Sequence, residues 1–210
     1  MIQVVPAILE KTEEAIREKV SLLKGIADFV QLDVMDGQFV SNTTFLDASR
    51  LADLPVTMEV HLMIERPVFH LDAWALPNVS RMIVHYEALD NVSHTISHIR
   101  KLGKQVGIAI NPGTSTFDIK EYLNDLDLVV VMGVEPGFSG QQFQRDVLEK
   151  VKEIKKIRPD MLIEVDGGVN SYTRNNIVNA GADILAAASF LWKAPDLKQA
   201  IADLRDGIQK

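Results

Sequence analysis

Short apolar runs alternate with longer amphipathic segments along the whole chain. Strands that alternate with helices form parallel sheets, because each crossover between parallel strands needs a connection of helix length. The repeated pattern therefore predicts successive βα units and a parallel sheet. The predicted strands are the apolar runs at 3–8, 29–34, 57–63, 81–85, 105–110, 126–132, 162–165 and 184–187.

The segments between the runs carry helix signals. Residues 11–23 are charged and periodic, whereas 91–102 and 170–180 each end just before a glycine, Gly103 and Gly181 respectively. Glycine is favoured after a helix because it adopts the left-handed conformation that closes the last turn. We therefore predict helices over these three segments.

Eight βα units in a chain of 210 residues favour a closed barrel over an open doubly wound sheet. An open sheet usually has fewer strands and carries a glycine-rich dinucleotide loop after its first strand. Here the first run ends in the sequence PAILE at 6–10, which contains no glycine. No linker or low-complexity stretch interrupts the chain, so we predict a single (β/α)8 TIM-barrel domain over residues 1–210.

Composition and charge narrow the classes of partner. The chain is 47% hydrophobic and 24% charged, with a formal net charge of -7 and no cysteine. A negative chain has no long-range attraction for nucleic acid or anionic membranes, and without cysteine it forms neither disulfides nor thiolate-bound metal sites. The apolar run 128–132 is too short to cross a bilayer. We therefore expect a cytoplasmic protein that binds neither nucleic acid nor membranes.

Polar side chains at the carboxyl ends of the predicted strands mark the expected active site, because those ends converge on one face of a barrel. Asp33, His61 and Asp166 lie near the ends of three runs, and alternation places Gln31 on the same side of its strand as Asp33. Two carboxylates and an imidazole suit a divalent metal, to which Gln31 could add a carbonyl oxygen. Taken singly, each residue also fits a helix cap or a core hydrogen bond.

Small residues cluster after the last three runs, where barrels commonly bind phosphate. Their free backbone N–H groups could hold an anion, although glycine at the end of a strand also serves simple turns. The predicted phosphate-binding residues are Gly137, Gly140, Gly167, Gly168 and Ser189.

Five ordered motifs resemble those of the ribulose-phosphate 3-epimerase family, and the likeness extends from Pro6 to about Ala194. The motifs are LDVMDGQFV at 32–40, VHLM at 60–63, NPGT at 111–114, EPGFSGQ at 135–141 and EVDGGV at 164–169. The resemblance implies an isomerase of the pentose phosphate pathway. Such an enzyme interconverts D-ribulose 5-phosphate and D-xylulose 5-phosphate by proton transfer at C3.

The resemblance also implies roles for individual residues. Asp33 and Asp166 match the family's acid/base pair and, together with His61, its ligands for a divalent metal, which here could be Zn, Mn or Fe. Methionines line the family's substrate site, although each also fits ordinary core packing. The matching methionines are Met35, Met63 and Met132.

The sequence departs from the family's pattern at several positions. Gln31 stands where the family has its first metal-binding histidine, Ala7 replaces a serine, and Ala188 and Ser139 replace glycines. Amide oxygen is a poorer zinc ligand than imidazole. Three hypotheses stay open: a harder metal, a site that works without metal, or an altered activity.

Other functions fit much of the same pattern. An epimerase of a related ketose phosphate, such as allulose 6-phosphate, would share every residue named above. A non-catalytic phosphosugar-binding barrel with a degenerate metal site would explain Gln31 and Ala7. A lyase or decarboxylase is disfavoured, because the Asp-x-Lys-x-x-Asp array of related barrels is absent from 59–64. The expected partner is a small ketose phosphate, and we expect a homo-oligomer because barrels often self-associate through their outer helices.

Overall fold

Within residues 2–207, which the computed structural model describes, eight parallel strands close into a barrel in chain order. The last strand is hydrogen-bonded to the first, which closes the barrel. This architecture confirms the predicted (β/α)8 fold. The strands are β1 (Gln3–Ile8), β2 (Phe29–Met35), β3 (Thr57–Met63), β4 (Val79–His85), β5 (Gln105–Ile110), β6 (Leu128–Met132), β7 (Leu162–Asp166) and β8 (Ile184–Ala187).

Helices cover the outside of the barrel between the strands. In the first helix Ile16 and Val20 lie four residues apart and are both buried, so one stripe faces the strands. The Thr12 side chain accepts a hydrogen bond from the Ala15 N–H and caps this helix. No helix within residues 2–207 is long and apolar enough to cross a membrane. The α-helices are α1 (Glu13–Leu22), α2 (Leu71–Trp74), α3 (Val92–Lys101), α4 (Thr116–Ile119), α5 (Val147–Ile157), α6 (Arg174–Ala180), α7 (Ser189–Trp192) and α8 (Leu197–Asp206).

Most predicted boundaries agree with the structure. Strands β1, β3, β5 and β8 have the bounds of their predicted runs, whereas β4 begins earlier, at Val79, and β6 begins later, at Leu128. The helix predicted at 170–180 begins only at Arg174. The residues before it form a turn instead, because the Asn170 side chain accepts hydrogen bonds from the N–H groups two and three residues further on.

Alternation divides the strand side chains between two cores. Side chains on one face of each strand pack against the helices, and those on the other face fill the barrel lumen. The apolar part of the lumen comprises Val5, Ile83, Ala109, Leu128, Val130, Met132 and Ile184. Strands β2, β3, β4 and β7 add buried polar side chains, namely Gln31, Asp33, Glu59, His61, Arg81, His85 and Glu164.

Candidate active site

The carboxyl ends of β2, β3 and β7 bring two carboxylates and an imidazole together. The register of β2 against β3 pairs Asp33 with His61, and Asp166 ends β7 beside Met132 of β6. His61 Nδ1 lies 3.2 Å from Asp33 Oδ1 and 3.3 Å from Asp166 Oδ2. One potential ligand atom from each of the three residues lies within 4.8 Å of the others. The three predicted residues therefore meet at one place, and this group could bind a metal ion.

Gln31 lies between the two carboxylates. Its Nε2 donates hydrogen bonds to Asp33 Oδ1 at 2.8 Å and to Asp166 Oδ2 at 2.7 Å, whereas its buried Oε1 has no hydrogen-bond partner among residues 2–207. The shared amide offsets part of the repulsion between the carboxylates. The sequence suggested a carbonyl ligand here, and a half-turn of the amide would present Oε1 to the site. The ligand role of Gln31 therefore stays a prediction.

Burial and mutual contacts shift the pKa values of this group. Burial raises the pKa of Asp33 to about 6, against the opposing hydrogen bond from His61. Burial alone would lower the pKa of His61, but hydrogen bonds to Asp166 and Asp33 outweigh it and raise that pKa to about 9. The group therefore holds a positive charge readily, as a cation site between carboxylates requires.

A further line of polar contacts extends outward from His61. Its Nε2 lies 2.9 Å from His85 Nε2, and His85 Nδ1 lies 3.4 Å from Glu87 Oε2. Burial lowers the pKa of His85. Burial opposes the ionisation of Glu87, but hydrogen bonds from His85 and Thr114 outweigh it and lower the Glu87 pKa to about 2. Neither residue was predicted from the sequence, although His85 ends the fourth run on the same side of the strand as Ile83.

A second pair of carboxyl groups lies deeper in the lumen. Glu59 lies two residues before His61 on β3, and Glu164 lies two residues before Asp166 on β7, so each shares a face of its strand with the later residue. Both glutamates are fully buried. Arg81 Nη1 lies 2.6 Å from Glu59 Oε2. Burial raises the pKa of both glutamates, and the charges of Glu59 and Asp166 raise that of Glu164 further. The buried site of Glu164 therefore favours the protonated form of its carboxyl group.

One pocket opens above the polar group at the mouth of the barrel. Its wall includes Asp33 and Asp166, whereas His61 and Gln31 lie fully buried beneath it. The loops after β6, β7 and β8 form the other side of the pocket. The remaining predicted site residues all line this pocket: Met35, Met63, Met132, Gly137, Gly140, Gly167, Gly168 and Ser189.

Glycine is required where the loop after β7 approaches the pocket. Gly167 and Gly168 have φ values of 102° and 68°, in the left-handed region that disfavours other residues. A Cβ on Gly168 would lie 2.8 Å from Phe143 Cα, and one on Gly167 would lie 2.5 Å from Val134 Cγ2. These close approaches leave backbone, without side chains, at the pocket wall.

The fold and the site together define a class of protein. A (β/α)8 barrel with paired carboxylates at the mouth, a potential metal group and glycine-rich loops on the opposite wall is typical of an enzyme that moves protons on a small substrate. The chain belongs to the ribulose-phosphate 3-epimerase family, because the sequence model described as "Ribulose-phosphate 3 epimerase family" matches residues 3–192. The predicted family, and with it the predicted enzyme class of isomerase, is confirmed.

Individual relatives agree with this assignment. The chain is 41% identical to "Ribulose-phosphate 3-epimerase" of Bacillus subtilis (strain 168), across 98% of this chain and 99% of the relative. It is 35% identical to the protein of the same name from Aquifex aeolicus (strain VF5), across 92% and 90% of the two chains. The barrel also resembles the crystal structure of 3-hexulose-6-phosphate synthase from Salmonella typhimurium, with a TM-score of 0.72 over 97% of this chain and 96% of that one; at 14% identity, this likeness concerns the fold alone.

Proposed function

We propose that the chain interconverts D-ribulose 5-phosphate and D-xylulose 5-phosphate by proton transfer at C3. The observation that carries this proposal is the placement of Asp33 and Asp166 in the wall of one pocket, bridged by Gln31. Membership of the family supports the same reaction. Inversion at carbon needs a proton acceptor on one face of the substrate and a proton donor on the other, and two carboxyl groups supply both.

The proton moves by way of one carboxylate and one carboxylic acid. The ionised carboxylate takes the C3 proton, the C–H electron pair forms the C2–C3 double bond, and the C2 oxygen gains the negative charge of an enediolate. The second carboxyl group returns a proton to the opposite face of C3, the C2–C3 double-bond electrons form the new C–H bond, and an electron pair of the C2 oxygen re-forms the carbonyl. A pKa of about 6 lets Asp33 both hold and release a proton near neutral pH. Asp33 and Asp166 exchange roles in the reverse reaction.

Asp33, His61 and Asp166 are the residues that would hold a divalent metal. Two carboxylates and one imidazole suit Zn²⁺, Mn²⁺ or Fe²⁺, and Gln31 Oε1, which has no other partner, could become a further ligand. When bound, such an ion supplies positive charge that stabilises the negative charge developed on the substrate oxygens. Gln31 itself orients both carboxylates through its two hydrogen bonds.

The loops after β6, β7 and β8 would hold the substrate phosphate. Gly140 lies in the loop after β6 and Ser189 begins α7, yet a Cβ on Gly140 would lie only 3.8 Å from Ser189 Oγ. Backbone N–H groups of such small residues can approach phosphate oxygens closely. The phosphate-binding residues of this proposal are Gly137, Gly140, Gly167, Gly168 and Ser189, and the residues that contact the sugar chain are Met35, Met63 and Met132.

The test of the proposed reaction is a turnover assay on a panel of sugars. D-ribulose 5-phosphate should be converted to D-xylulose 5-phosphate faster than allulose 6-phosphate is epimerised, and non-phosphorylated ribulose should be a far poorer substrate. Ser189→Ala is the cleaner phosphate-site variant, because any side chain at Gly168 collides with Phe143. Equal turnover of ribulose with and without phosphate would contradict the phosphate site, and no turnover of any ketose phosphate would leave a binding protein as the better account.

The assembly and location of the chain stay predictions. A homo-oligomer is expected because barrels often self-associate through outer helices, and sedimentation of the purified chain tests it. Localisation of a tagged chain tests the expected cytoplasmic location.

A further inference from the structure

The contacts that begin at His61 form what we call the outer polar chain, defined as His61, His85 and Glu87. The rings of His61 and His85 are nearly parallel, with an interplanar angle of 13°, and their Nε2 atoms lie 2.9 Å apart. Both rings are fully buried, so no bulk water competes for this contact. A hydrogen bond between two imidazole nitrogens requires a proton on one and a lone pair on the other. The hydrogen bonds of the outer polar chain therefore run in one direction, from the residue that donates the proton to the residue that accepts it.

Glu87 is anchored so that its carboxylate faces His85. Its Oε1 accepts hydrogen bonds from the Asn111 N–H at 2.8 Å and from the Thr114 hydroxyl, while its Oε2 faces His85 Nδ1. The loop that carries these donors is held by Lys150, whose Nζ donates to the carbonyl oxygens of Asn111 at 2.8 Å and Thr114 at 2.5 Å. An ionised carboxylate only accepts hydrogen bonds, so the outer end of the chain is fixed as an acceptor.

We infer that His85 and Glu87 are positioning residues that select the tautomer of His61. Glu87 accepts the proton of His85 Nδ1, which leaves a lone pair on His85 Nε2. That lone pair accepts the proton of His61 Nε2, so the lone pair of neutral His61 lies on Nδ1, the atom that faces Asp33 and Asp166. His61 is thereby set to offer Nδ1 to a cation held between the carboxylates.

Before a cation binds, His61 Nδ1 also carries a proton, because it faces the Asp33 and Asp166 carboxylates, which only accept hydrogen bonds, and a cation takes the place of that proton. Loss of the Nε2 proton instead is unfavourable for a reason visible in the same contacts. If His61 carried its only proton on Nδ1, its Nε2 would need a proton from His85, and neutral His85 would then turn a lone pair toward the Glu87 carboxylate. Two acceptors would face each other in a half-buried place, at a cost comparable to an unsatisfied hydrogen-bonding group. Groups that hold the far nitrogen of a metal-binding histidine fix its tautomer in this way. The inference rests on the metal site of the proposed function, not on the identity of the sugar.

Glu87→Gln tests the direction of the chain. Because Asn111 and Thr114 still require an acceptor, the new amide oxygen should turn toward them and its NH₂ toward His85. The chain then reverses and places the His61 proton on Nδ1, so Zn²⁺ affinity, measured by competition with a chromophoric chelator, should fall by about 10–100-fold. In ¹⁵N spectra of the metal-free protein, the protonated nitrogen of the His85 ring should move from Nδ1 in the wild type to Nε2 in the variant.

The matched control is Glu153→Gln. Glu153 is also a carboxylate that accepts a threonine hydroxyl, from Thr116 at 2.6 Å, but the structure gives it no contact with either histidine. This variant removes the same charge close to the same loop. Its Zn²⁺ affinity and ¹⁵N spectrum should match those of the wild type. This result would distinguish an effect through the outer polar chain from a general effect of losing a negative charge.

A second variant covers the case in which Glu87→Gln fails to fold. His85→Leu removes the acceptor for His61 Nε2 and should weaken Zn²⁺ binding by the same order, about 10-fold or more. The double variant should bind Zn²⁺ no more weakly than the weaker-binding single variant, because both changes act through the outer polar chain. If the two changes caused independent structural damage, their effects on Zn²⁺ binding would add instead.

The outcomes separate this inference from the proposed reaction. Wild-type Zn²⁺ affinity in both Glu87→Gln and His85→Leu, or a wild-type chain that binds no Zn²⁺, would overturn the inference. Weakened binding with the ¹⁵N shift would support it even if D-ribulose 5-phosphate were not a substrate, a result that would contradict only the proposed reaction.

Discussion

Two pairs of carboxyl groups lie in neighbouring layers of the barrel lumen. They differ in their hydrogen-bond donors and in their access to the pocket. The upper carboxylate pair is Asp33 and Asp166, which share hydrogen bonds from Gln31 and line the pocket. The lower carboxylate pair is Glu59 and Glu164. Within residues 2–207 its one hydrogen-bond donor is Arg81, whereas Glu59 Oε1 and both carboxyl oxygens of Glu164 have no hydrogen-bond partner there.

The comparison shows that a raised pKa alone does not mark a catalytic group. Burial raises the pKa of Asp33 in the upper pair and of both glutamates in the lower pair. Only the upper pair combines that shift with hydrogen-bond donors that orient it and with an opening to a pocket. A perturbed group becomes a candidate for catalysis when a substrate can reach it. We therefore propose proton transfer for the upper pair and a structural role for the lower pair.

The largest effect should follow from neutralising the upper pair. Asp33→Asn and Asp166→Asn keep the side-chain shape but remove the base, so each should lower kcat by about 10²–10⁴-fold. Steady-state assays with D-ribulose 5-phosphate measure this loss. Thermal unfolding is the control, because neither variant should melt below the wild type if only the chemistry is affected. Near wild-type turnover in both variants would contradict the two-carboxylate mechanism.

Changes to the lower pair should affect the free energy of unfolding more than they affect turnover. Arg81→Met removes the guanidinium that pairs with Glu59 and leaves a buried carboxyl pair without it, so the free energy of unfolding should fall by about 3–5 kcal/mol. Denaturant titration measures the change. A fall much below this range would mean that Glu59 is protonated together with Glu164, and that the pair needs no cation.

Glu87 extends the comparison, because it is a carboxylate whose pKa is shifted in the opposite direction. Its pKa is about 2 in the folded chain against an ordinary 4.5, so the stability it contributes is present above 4.5 and is lost as the pH falls toward 2. Between about pH 6 and about pH 3 the wild type should lose up to about 2 kcal/mol more than Glu87→Gln, after allowance for solvent screening. Parallel acid unfolding curves would contradict this.

The smallest effect is expected at Glu164. Glu164→Gln replaces a carboxyl group whose buried site favours the neutral form by a neutral amide of nearly the same shape, so kcat should stay near the wild-type value and the free energy of unfolding should change by less than about 1 kcal/mol. Because the folded-state pKa of Glu164 is raised, the wild type should lose stability relative to this variant as the pH rises above 4.5. A large loss of kcat would place the lower pair in the reaction.

The sequence predicted the barrel and the upper pair for a common reason. Strand patterning locates the end of each strand, and barrel closure brings those ends together, so Asp33, His61 and Asp166 could be grouped without coordinates. The orientation of the Gln31 amide depends on which hydrogen-bond partners surround it in three dimensions. The contact of His85 with Glu87 could likewise not be predicted from the sequence, because it depends on side-chain rotamers that periodicity does not encode.

The remaining residues missed from the sequence belong to the lower pair. Glu59 and Glu164 stand in quoted motifs, but whether they face each other depends on the stagger of β3 against β7 across the lumen. The third member, Arg81, begins an apolar run and offers no signal of its own until Glu59 is placed beside it. Because a buried charge is costly unless it is paired, a carboxyl group on a buried strand such as β3 is a reason to look for a basic partner on a neighbouring strand.

Deuterium exchange at C3 tests most directly whether the upper pair moves the proton. In D₂O, wild-type enzyme and Glu164→Gln should both form D-xylulose 5-phosphate that carries deuterium at C3, as detected by ¹H NMR. Asp33→Asn and Asp166→Asn should form little such product, and each can exchange the C3 proton of only one epimer, because one face keeps its carboxylate. Exchange at the wild-type rate in both aspartate variants, or loss of exchange in Glu164→Gln alone, would contradict the assignment.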